Sequence, residues 1–314
     1  MRIGLDMMGG DYAPLEVIKG ISEYFSESDQ HAEVVMIGDE EKLSSLFPEY
    51  LPNNNNSFSI VHAPQVIDMH DSPTRALKEK KKSSISVGFH LLSREKIDAF
   101  ISAGNTGAML IGSLYSLKPV EGVLRPTIST IMPKENGGTG LILDVGINSD
   151  CKPDHLNQFA VMGTVYAQSI LGIDEPRVGL LNIGEEEGKG NLLAQAAYQL
   201  LRENKHINFI GNIEGRDLMM NKADVMICDG FTGNIILKFA ESLFEITQRK
   251  KIEHEFFDRF NFEIYGGTPV LGISKPVIIG HGISHAKAFK NMIVVAQKMI
   301  EKNVMQKMHD ELVS

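Results

Sequence analysis

Short apolar runs that end at a glycine recur along this chain, and a polar loop and a helix-like segment follow most of them. The run 141–145 ends at Gly146, and the run 178–183 ends at Gly184. Runs of this length that are rich in valine, isoleucine and leucine are typical of parallel strands buried on both faces. Pro153 follows the first loop, and apolar residues then recur at helical spacing up to Ile170. The stretch 140–191 therefore predicts two successive units of strand, loop and helix.

The same pattern extends over the rest of the chain. It predicts further strands at residues 3–6, 34–37, 58–62, 99–102, 127–132, 207–210, 225–228 and 277–279. It predicts helices from Pro14, at 74–82, at 85–94 and over the apolar face at 289–300. Asn136, Gly137 and Gly138 indicate a hairpin turn between two strands. We assign no role to the polar loop 53–56, and we find no linker rich in proline, glycine or serine.

The loops that follow the strands carry most of the polar side chains that suit a ligand site. Ligands in open α/β sheets bind beyond the carboxyl ends of the strands, and five or six glycine loops are expected at that edge. Backbone N–H groups in such loops bind phosphate, especially where a helix begins. The loop 102–107 is the first candidate, with Ser102, Asn105 and Thr106 as phosphate contacts. The other substrate-binding candidates, for phosphate or a phosphate-bearing arm, are Gly9, Gly10, Asp11, Asn148, Lys152 and Gly184.

Four of these loop residues are candidates for a direct part in catalysis, and most have a plainer alternative. Lys189 either meets a negative charge on the substrate or pairs with one of the glutamates at 185–187. Asp229 and Asn234 either orient a substrate or, in the case of Asp229, close a turn with neighbouring backbone. His281 either protonates a leaving group or is bonded to nearby backbone. For Asp11, a helix cap is the alternative to substrate contact.

Composition narrows the class of protein. The 314 residues are 43% hydrophobic and 23% charged, which is ordinary for a globular chain, and the net charge is −9. A general nucleic-acid binder is unexpected at that charge. The two cysteines, Cys151 and Cys228, suggest neither a disulfide scaffold nor a zinc site, and we expect no metal. A strand predicted from Ile3 leaves no room for a signal peptide, and no apolar run approaches the roughly 20 residues that cross a bilayer. We therefore expect a cytoplasmic protein.

Three familiar nucleotide and hydrolase motifs do not fit the loops. The segment from Gly184 to Gly190 is one residue shorter than a P-loop, and Gly190 stands where a serine or threonine should bind magnesium. The loop at 7–11 is not the G-x-G-x-x-G of dinucleotide-binding proteins, although the strand pattern is Rossmann-like. The chain has no G-x-S-x-G elbow of the α/β-hydrolases. An ATPase, a dinucleotide dehydrogenase and a hydrolase are therefore weakly supported.

Several long segments resemble one family of bacterial enzymes. They are MRIGLDMMGGDYAP, SAGNTGAM, LILDVGINSDCKPDHLNQFAVMG, LLNIGEEEGKGN, ADVMICDGFTGNIILK and YGGTPVLGISKPVIIGHGISHAKAFKNMI. Together they resemble the PlsX family of phosphate acyltransferases, from the first residues to about Val295. The resemblance implies an α/β fold, a three-layer αβα Rossmann-like sandwich similar to the isocitrate and isopropylmalate dehydrogenases and to phosphotransacetylase. It also implies that residues 1–314 form a single catalytic domain.

The resemblance implies a reversible reaction in which a fatty acyl group moves from acyl-carrier protein to inorganic phosphate. The acyl phosphate then feeds a membrane glycerol-3-phosphate acyltransferase at the start of phospholipid synthesis. Both acyl groups are already activated, so no cofactor is expected. The family implies a homodimer that associates peripherally with the membrane. Two rivals stay open: an NAD- and metal-dependent dehydrogenase of the same fold class, and a non-catalytic scaffold that binds a carrier or lipid.

Cys151 raises a separate question about the mechanism. It lies near a predicted helix start, where a thiol pKa can fall, and His155 follows one turn later. An acyl-cysteine relay is therefore conceivable. The resemblance to phosphotransacetylase favours direct attack by phosphate instead.

Two surface features suggest partners. Acyl-carrier proteins are acidic, so docking needs a local basic surface, and the densest one contains Arg75 and the proposed docking residues Lys78, Lys80, Lys81 and Lys82. A solvated helix face is the usual explanation for such a run. The segment at about 236–262 places basic residues beside a phenylalanine-rich stretch. That combination fits a membrane-surface helix and fits a dimer interface equally well.

Overall fold

The structure is a computed structural model, and it describes residues 1–27, 32–51 and 58–313. The polar loop 53–56 lies outside the described residues. The chain packs as two compact units, Met1–Lys118 with Phe262–Glu301, and Pro119–Asn261 with Lys302–Ser314. Strand and helix patterns run through these boundaries without a linker, and the single catalytic domain implied by the family resemblance stays a prediction.

Strands and helices alternate through most of the chain. The strands are β1 (Arg2–Asp6), β2 (Glu33–Gly38), β3 (Phe58–His62), β4 (Ala99–Ser102), β5 (Thr127–Pro133), β6 (Thr139–Leu143), β7 (Arg177–Leu181), β8 (Asn208–Ile213), β9 (Val225–Ile227), β10 (Thr268–Leu271) and β11 (Val277–Ile279). The helices are α1 (Leu15–Glu27), α2 (Glu40–Tyr50), α3 (Pro73–Glu79), α4 (Ser84–Ser93), α5 (Thr106–Ser116), α6 (Pro153–Tyr166), α7 (Leu192–Glu203), α8 (Gly230–Lys250), α9 (Glu255–Asp258), α10 (Ala286–Glu301) and α11 (Val304–Val313). A turn of π-helix, Ala167–Leu171, extends α6.

The first unit is built on a sheet with the order β3-β2-β1-β4-β11-β10. Its strands are parallel except β10, which runs antiparallel to β11. From β1 the chain builds outward through β2 to β3, and β4 then pairs on the other side of β1. A crevice beyond the carboxyl ends of β1 and β4 is expected at such a reversal of strand order, and it is where open α/β sheets bind ligands.

The second unit is built on a sheet with the order β5-β6-β9-β7-β8. Strands β5 and β6 form the antiparallel hairpin predicted at Asn136 to Gly138, and the remaining pairs are parallel. Strand β9 is inserted between β6 and β7, although it follows both in sequence. The carboxyl ends of β6, β9 and β7 are therefore neighbours, and the loops after them lie together.

Most of the predicted elements are present, and the α/β class is confirmed. The predicted strand 141–145 ends earlier, at Leu143, because Asp144 begins a loop whose N–H groups turn back onto its own carboxylate. Likewise, the predicted strand 178–183 ends at Leu181. Strand β10 was not predicted, since Pro269 weakens the strand pattern of its four residues. The helix α11 was also missed, and the left-handed residue Asn303 separates it from α10.

Candidate active site

In the first unit, a buried hydrogen bond joins the ends of β1 and β4. The Ser102 hydroxyl donates to the Asp6 carboxylate at 2.6 Å and accepts from the N–H of Gly104 at 3.0 Å. Burial raises the pKa of Asp6, and hydrogen bonds from Ser102 and Ser84 oppose that rise. A Cβ at Gly9 would collide with the Asp6 carboxylate, so the loop after β1 lies directly over this pair. Ser102 therefore shapes the two loops, and its hydroxyl already has protein partners.

The loop after β4 leads into α5, and Asn105 is its N-cap. The Asn105 Oδ1 accepts from the N–H of Ala108 at 2.9 Å. Its Nδ2 donates to three backbone carbonyls of the 68–71 loop at 2.9 to 3.2 Å. The Asn105 side chain is thus fully used in holding that loop against the start of α5. In the described part of the chain, the N–H groups of Thr106 and Gly107 have no partner, and Thr106 is exposed. Anion binding here would come from these two N–H groups and the Thr106 hydroxyl.

The loop after β11 contacts the loop after β1. The N–H of Asp11 donates to the carbonyl of Gly282 at 2.7 Å. Helix α1 begins at Leu15, so Asp11 is not at its capping position, and the expected helix cap is wrong. His281 is exposed, and its ring stacks on Phe262 with centroids 5.0 Å apart. Its Nδ1 accepts a long hydrogen bond of 3.4 Å from backbone, which is the plainer of its two expected roles. Gly10 has a φ of +107°, a conformation that glycine adopts without strain.

In the second unit, the loop after β6 is organised by the buried carboxylate of Asp144. Its Oδ1 accepts from the N–H groups of Gly146 and Ile147 at 2.9 and 3.1 Å. Its Oδ2 accepts from the backbone N–H and the side-chain Nδ2 of Asn148, both at 2.7 Å. The Asn148 amide also donates to the carbonyl of Pro126 at 2.8 Å. Asn148 is therefore part of the loop's own framework, and a substrate would meet the outer surface of that loop.

Helix α8 begins directly against this loop. The N–H of Gly230 donates to the carbonyl of Asn148 at 2.8 Å. A Cβ at Gly233 would overlap the carbonyl of Asp144, so glycine is required for this close approach. Asp229 is the N-cap of α8, because its carboxylate accepts from the N–H and hydroxyl of Thr232 at 2.8 and 3.0 Å. The turn-closing alternative for Asp229 is thus observed. Asn234 is exposed one turn further on.

The loop 182–191 after β7 carries Lys189 on a framework of amides. The Asn182 Nδ2 donates to the carbonyl of Lys189 at 3.1 Å and to the Oδ1 of Asn212 at 3.1 Å. The Lys189 stem lies over Gly184, and its Nζ is 3.8 Å from the Oε1 of Glu186. Because Lys189 is 48% exposed and the pair is long, the ammonium is loosely held. Lys189 is therefore able to turn toward an incoming anion.

A cavity of about 430 Å³ lies beyond the ends of β7 and β9 in the second unit. Its polar lining comes from Asn182, Gly190, Asn191, Cys228, Asp229 and Thr232. Its apolar lining comes from Leu156, Leu180, Leu181, Ile183, Leu193 and Ala194. Asp229 and the residue next to Lys189 therefore line the same space. An apolar wall with a few polar groups is the usual composition of a small-molecule site.

Cys151 lacks the surroundings of an activated thiol. Burial, together with the nearby Asp144 and Asp229 carboxylates, raises its pKa to about 11. His155 does not act as its base, since the His155 Nδ1 accepts from the N–H of Lys152 at 3.0 Å. Lys152 itself is exposed at the start of α6. Cys228 is fully buried, and burial raises its pKa as well. These surroundings argue against an acyl-cysteine relay.

The basic run after residue 74 divides into paired and unpaired groups. Arg75 forms an ion pair with Glu79, at 2.9 Å. Lys80 forms ion pairs with Asp71 at 2.6 Å and Asp68 at 3.1 Å, and both raise its pKa. Lys80 is therefore a structural residue of the 68–71 loop, and its charge is compensated. Within this basic run, the exposed lysines that form no ion pair in the described residues are Lys78, Lys81 and Lys82.

The segment at 236–262 is not one continuous helix. Helix α8 ends at Lys250, and the short α9 follows after a break. The exposed apolar face lies on α8, where Phe231 is 64%, Ile235 is 54% and Phe239 is 62% exposed. The rings of Phe256 and Phe260 are half-buried against each other, 5.4 Å apart. The expected apolar surface is therefore present, but it is centred further toward the start of α8.

Within residues 1–27, 32–51 and 58–313, no three histidine, cysteine, aspartate or glutamate side chains are grouped so as to hold a metal ion. Among the helices of these same ranges, none has the length and apolar character that crossing a membrane requires.

Sequence reasoning missed the residues that organise the site. Asp144 was read as part of an apolar strand, yet it orients four donors at the end of β6. Asn182 was read as a strand residue, yet it connects the loop 182–191 to β8. The available signal was a polar residue at the end of each apolar run, just before the glycine. Where the loop folds back over the strand end, Asp144 is buried and Asn182 is half-buried.

Buried carboxylates that hold strand-end loops, together with unpaired N–H groups at a helix start, define an α/β protein with binding loops at the carboxyl ends of its strands. A family model described as "Fatty acid synthesis protein" matches residues 1–307, and the chain belongs to this family. That membership confirms the resemblance read from the sequence motifs.

Relatives and solved structures agree with this assignment. The chain is 43% identical to a phosphate acyltransferase of Dictyoglomus turgidum, over 99% of this chain and 98% of the relative. It is 43% identical to a phosphate acyltransferase of Aquifex aeolicus, over 98% and 96%. The structure resembles a phosphotransacetylase from Streptococcus pyogenes with a TM-score of 0.65 and 18% identity, over 96% and 94% of the two chains. It resembles a branched-chain phosphotransacylase from Enterococcus faecalis with a TM-score of 0.59 and 15% identity, over 96% and 99%. These two likenesses show the fold.

Proposed function

We propose that this chain is a phosphate acyltransferase that moves a fatty acyl group from acyl-carrier protein to inorganic phosphate. Full-length relatives at about 43% identity carry the name phosphate acyltransferase. The structural observation that carries the proposal is the start of α5. There Asn105 fixes the loop, and the N–H groups of Thr106 and Gly107 are left without a partner in the described chain. Such N–H groups, with the helix dipole behind them, attract an oxyanion.

The reaction requires positioning and charge stabilisation more than a strong base. A phosphate oxygen attacks the carbonyl carbon of the thioester, and a tetrahedral oxyanion forms. Its collapse breaks the C–S bond, leaves a mixed anhydride of acyl group and phosphate, and releases the carrier's thiolate. Phosphate is already anionic at neutral pH, so preorganised donors supply much of the rate. The thiolate takes up a proton as it leaves.

We assign candidate roles to side chains from their own surroundings. Lys189 is loosely held by Glu186, so its ammonium is available to a developing negative charge. His281 is exposed, and its second ring nitrogen has no partner in the described chain, which suits a proton donor to the thiolate. Asp229 and Asn234 border the start of α8, where we propose that they orient the substrate's phosphopantetheine arm.

The test of the function is a direct assay of acyl transfer. The protein is incubated with acyl-carrier protein loaded with a fatty acyl group and with ³²P-labelled phosphate. We expect labelled acyl phosphate and an equal amount of free carrier thiol, without ATP or added metal. Carrier binding without phosphate-dependent loss of thioester would instead identify a non-catalytic scaffold. An NAD-dependent absorbance change with a hydroxyacid would identify a dehydrogenase.

We propose that acyl-carrier protein docks on the unpaired lysines Lys78, Lys81 and Lys82. Their charge is not compensated in the described chain, whereas the acidic carrier needs a basic surface. Charge reversal of Lys81 and Lys82 should raise the KM for acyl-carrier protein and leave the KM for a small thioester unchanged. Charge reversal of Arg249 and Lys250, a second basic pair, is the matched control. Equal effects on both thioesters would refute the docking role.

We propose a homodimer that forms through the exposed face of α8. Phe231, Ile235 and Phe239 lie four residues apart and share one helix face. A contiguous apolar face of this kind is usually covered by a partner. Replacing Ile235 and Phe239 by serine should convert a dimer to a monomer in size-exclusion chromatography with light scattering. An unchanged mass would refute this assignment.

We propose that the tip of the same segment contacts a membrane surface peripherally, on the cytoplasmic side. The exposed side chains Arg249, Lys250 and Lys251 precede the exposed Ile252 and the cluster around Phe256. Basic residues beside apolar ones favour an anionic lipid surface. Sedimentation with anionic vesicles should fall when Ile252 and Phe256 are replaced by serine, and neutral vesicles are the control. Such a location would present acyl phosphate to a membrane glycerol-3-phosphate acyltransferase.

A further inference from the structure

A second cavity, in the first unit, lies between α3, α4 and α5. Its volume is about 530 Å³, within the range of small-molecule sites. The apolar lining consists of Leu77, Phe89, Ile111 and Gly112. Gly112 matters for this shape, because a Cβ there would collide with the ring of Phe89. The ring is 2% exposed and packs on Phe100 at 5.1 Å, so it closes the bottom of the cavity, and the apolar surface within reach of a ligand comes from the half-buried Leu77 and Ile111.

The rim of this cavity is cationic. It carries Lys78 and Lys81, together with His90 and the phenol of Tyr115, which is 84% exposed. The Lys78 and Lys81 ammonium groups have no carboxylate partner within the described ranges, and neither does the His90 ring.

The nearby carboxylates are already occupied. Glu79 pairs with Arg75 at 2.9 Å, and Asp68 and Asp71 pair with Lys80 at 3.1 and 2.6 Å. Lys80, which forms ion pairs with two of these carboxylates, does not line the cavity. Lys78 and Lys81, which form no ion pair in the described residues, do line it. On a chain of net charge −9, this is a local concentration of positive charge around an apolar space.

We infer that this cavity binds an anionic amphiphile, with the alkyl chain along Leu77 and Ile111 and the anionic head at Lys78 and Lys81. An apolar lining favours such a ligand over a purely ionic one such as free phosphate, which gains nothing from it. The two lysines disfavour a cationic or neutral lipid relative to an anionic one. The shared chemistry is a long hydrocarbon chain that ends in a carboxylate or a phosphate.

The site also has a consequence that rests on the proposed function. Lys78 and Lys81 serve the proposed carrier docking, so an amphiphile bound there would compete with acyl-carrier protein. Binding itself does not depend on acyl transfer, and it is therefore tested without carrier and without phosphate.

The experiment is titration calorimetry of the full chain with hexadecyl phosphate and with palmitate, each below its micelle concentration. Saturable binding is expected for at least one of the two, and the tighter one identifies the head group. The matched cationic amphiphile, hexadecyltrimethylammonium, should bind at least about tenfold more weakly, as expected when two surface charges change from attraction to repulsion. Equal binding of the cationic amphiphile would overturn the inference, and so would the absence of saturable binding of both anions.

Two variants locate the binding. The double substitution Lys78→Ala with Lys81→Ala should weaken binding by about tenfold, for two partly screened charge contacts of roughly 0.7 kcal/mol each. The double substitution Lys82→Ala with Lys118→Ala removes two exposed lysines outside the cavity and should change binding less than about twofold. Far-ultraviolet circular dichroism verifies that both variants fold. Equal weakening in the two variants would overturn the location of the site. None of these binding measurements depends on acyl transfer. If the acyl-transfer assay fails, the amphiphile titrations can therefore still be interpreted.

Discussion

Asp144→Asn should destabilise the protein by about 2–3 kcal/mol, although it changes only one oxygen of the carboxylate to an NH₂ group. Each carboxylate oxygen of Asp144 accepts two hydrogen bonds, from Gly146 and Ile147 on Oδ1 and from the N–H and amide of Asn148 on Oδ2. An asparagine has one such oxygen. Its NH₂ group would face two N–H donors at the other position, and the amide can turn so that these are the part-buried N–H groups of Gly146 and Ile147. At least these two donors therefore lose their acceptor.

The magnitude follows from these two lost partners. A buried donor left unsatisfied costs about 1–3 kcal/mol, and these two are only part-buried, so the low end of that range applies to each and the substitution should cost about 2–3 kcal/mol. That is a large part of the 5–15 kcal/mol typical of a folded domain. Urea unfolding, followed by circular dichroism at constant pH, measures the change directly. The loop after β6 should also lose its shape, so activity should fall more than stability alone explains at a temperature where the variant is folded.

Asp150→Asn is the matched control for this prediction. It makes the same chemical change six residues later in an exposed loop, and it should alter the free energy of unfolding by less than about 0.5 kcal/mol. If Asp144→Asn is as stable as this control, the reasoning about the loop after β6 is refuted.

Three further predictions address the thiol, the Asp6 pair and the start of α8. Cys151→Ser should retain near-normal turnover, because a thiol with a pKa of about 11 is almost entirely protonated at neutral pH. A loss of turnover above about tenfold would instead support an acyl-cysteine relay. Ser102→Ala should lower the free energy of unfolding by about 1–3 kcal/mol. The loss should be larger at pH 8 than at pH 4, because the Ser102 hydrogen bond favours the ionised Asp6 carboxylate. Without it the raised pKa of Asp6 rises further, and a carboxyl group with a raised native pKa loses stability as pH rises through that pKa. A pH-independent loss would contradict the role given to that pair. Gly233→Ala should displace α8 and abolish activity, because its Cβ would overlap a carbonyl after β6, whereas Gly188→Ala, with open space around it, should be tolerated. Equal activities of these two glycine variants would show that the close approach is unimportant.

The sequence was sufficient for the elements whose signal is local. Strand β4 was predicted with its observed bounds, because its three apolar residues and Ser102 lead directly into a glycine-containing loop. The hairpin between β5 and β6 was predicted from its turn residues. Strand β10 has a weaker local pattern because Pro269 interrupts its four residues, and helix α11 packs against α6, which is far away in sequence. Strand order is likewise non-local, since nothing at 225–227 indicates that β9 inserts between β6 and β7.

The candidate site was predicted at the level of loops, but less well at the level of side chains. Asn105 was expected to bind phosphate, and the structure uses its amide to hold the 68–71 loop. Asn148 was expected to bind substrate, and its amide is shared between Asp144 and Pro126. A polar residue at a strand end serves either the loop or the ligand, and the sequence does not distinguish these roles. The choice depends on which acceptors the folded loop brings within hydrogen-bonding distance. Whether these residues also contact substrate stays a prediction.

The most direct test of the central claim is the KM for phosphate in Thr106→Pro compared with Thr106→Ala. Thr106 is the first residue of α5, a position where proline is compatible with a helix but removes the N–H. The alanine variant removes the hydroxyl and keeps the N–H. Loss of a charge-assisted hydrogen bond of about 1.5–3 kcal/mol predicts a KM for phosphate about 10- to 100-fold higher in the proline variant than in the alanine variant, with an unchanged KM for the acyl donor. Equal KM values for phosphate in the two variants would contradict the claim that backbone N–H groups at this helix start bind the phosphate.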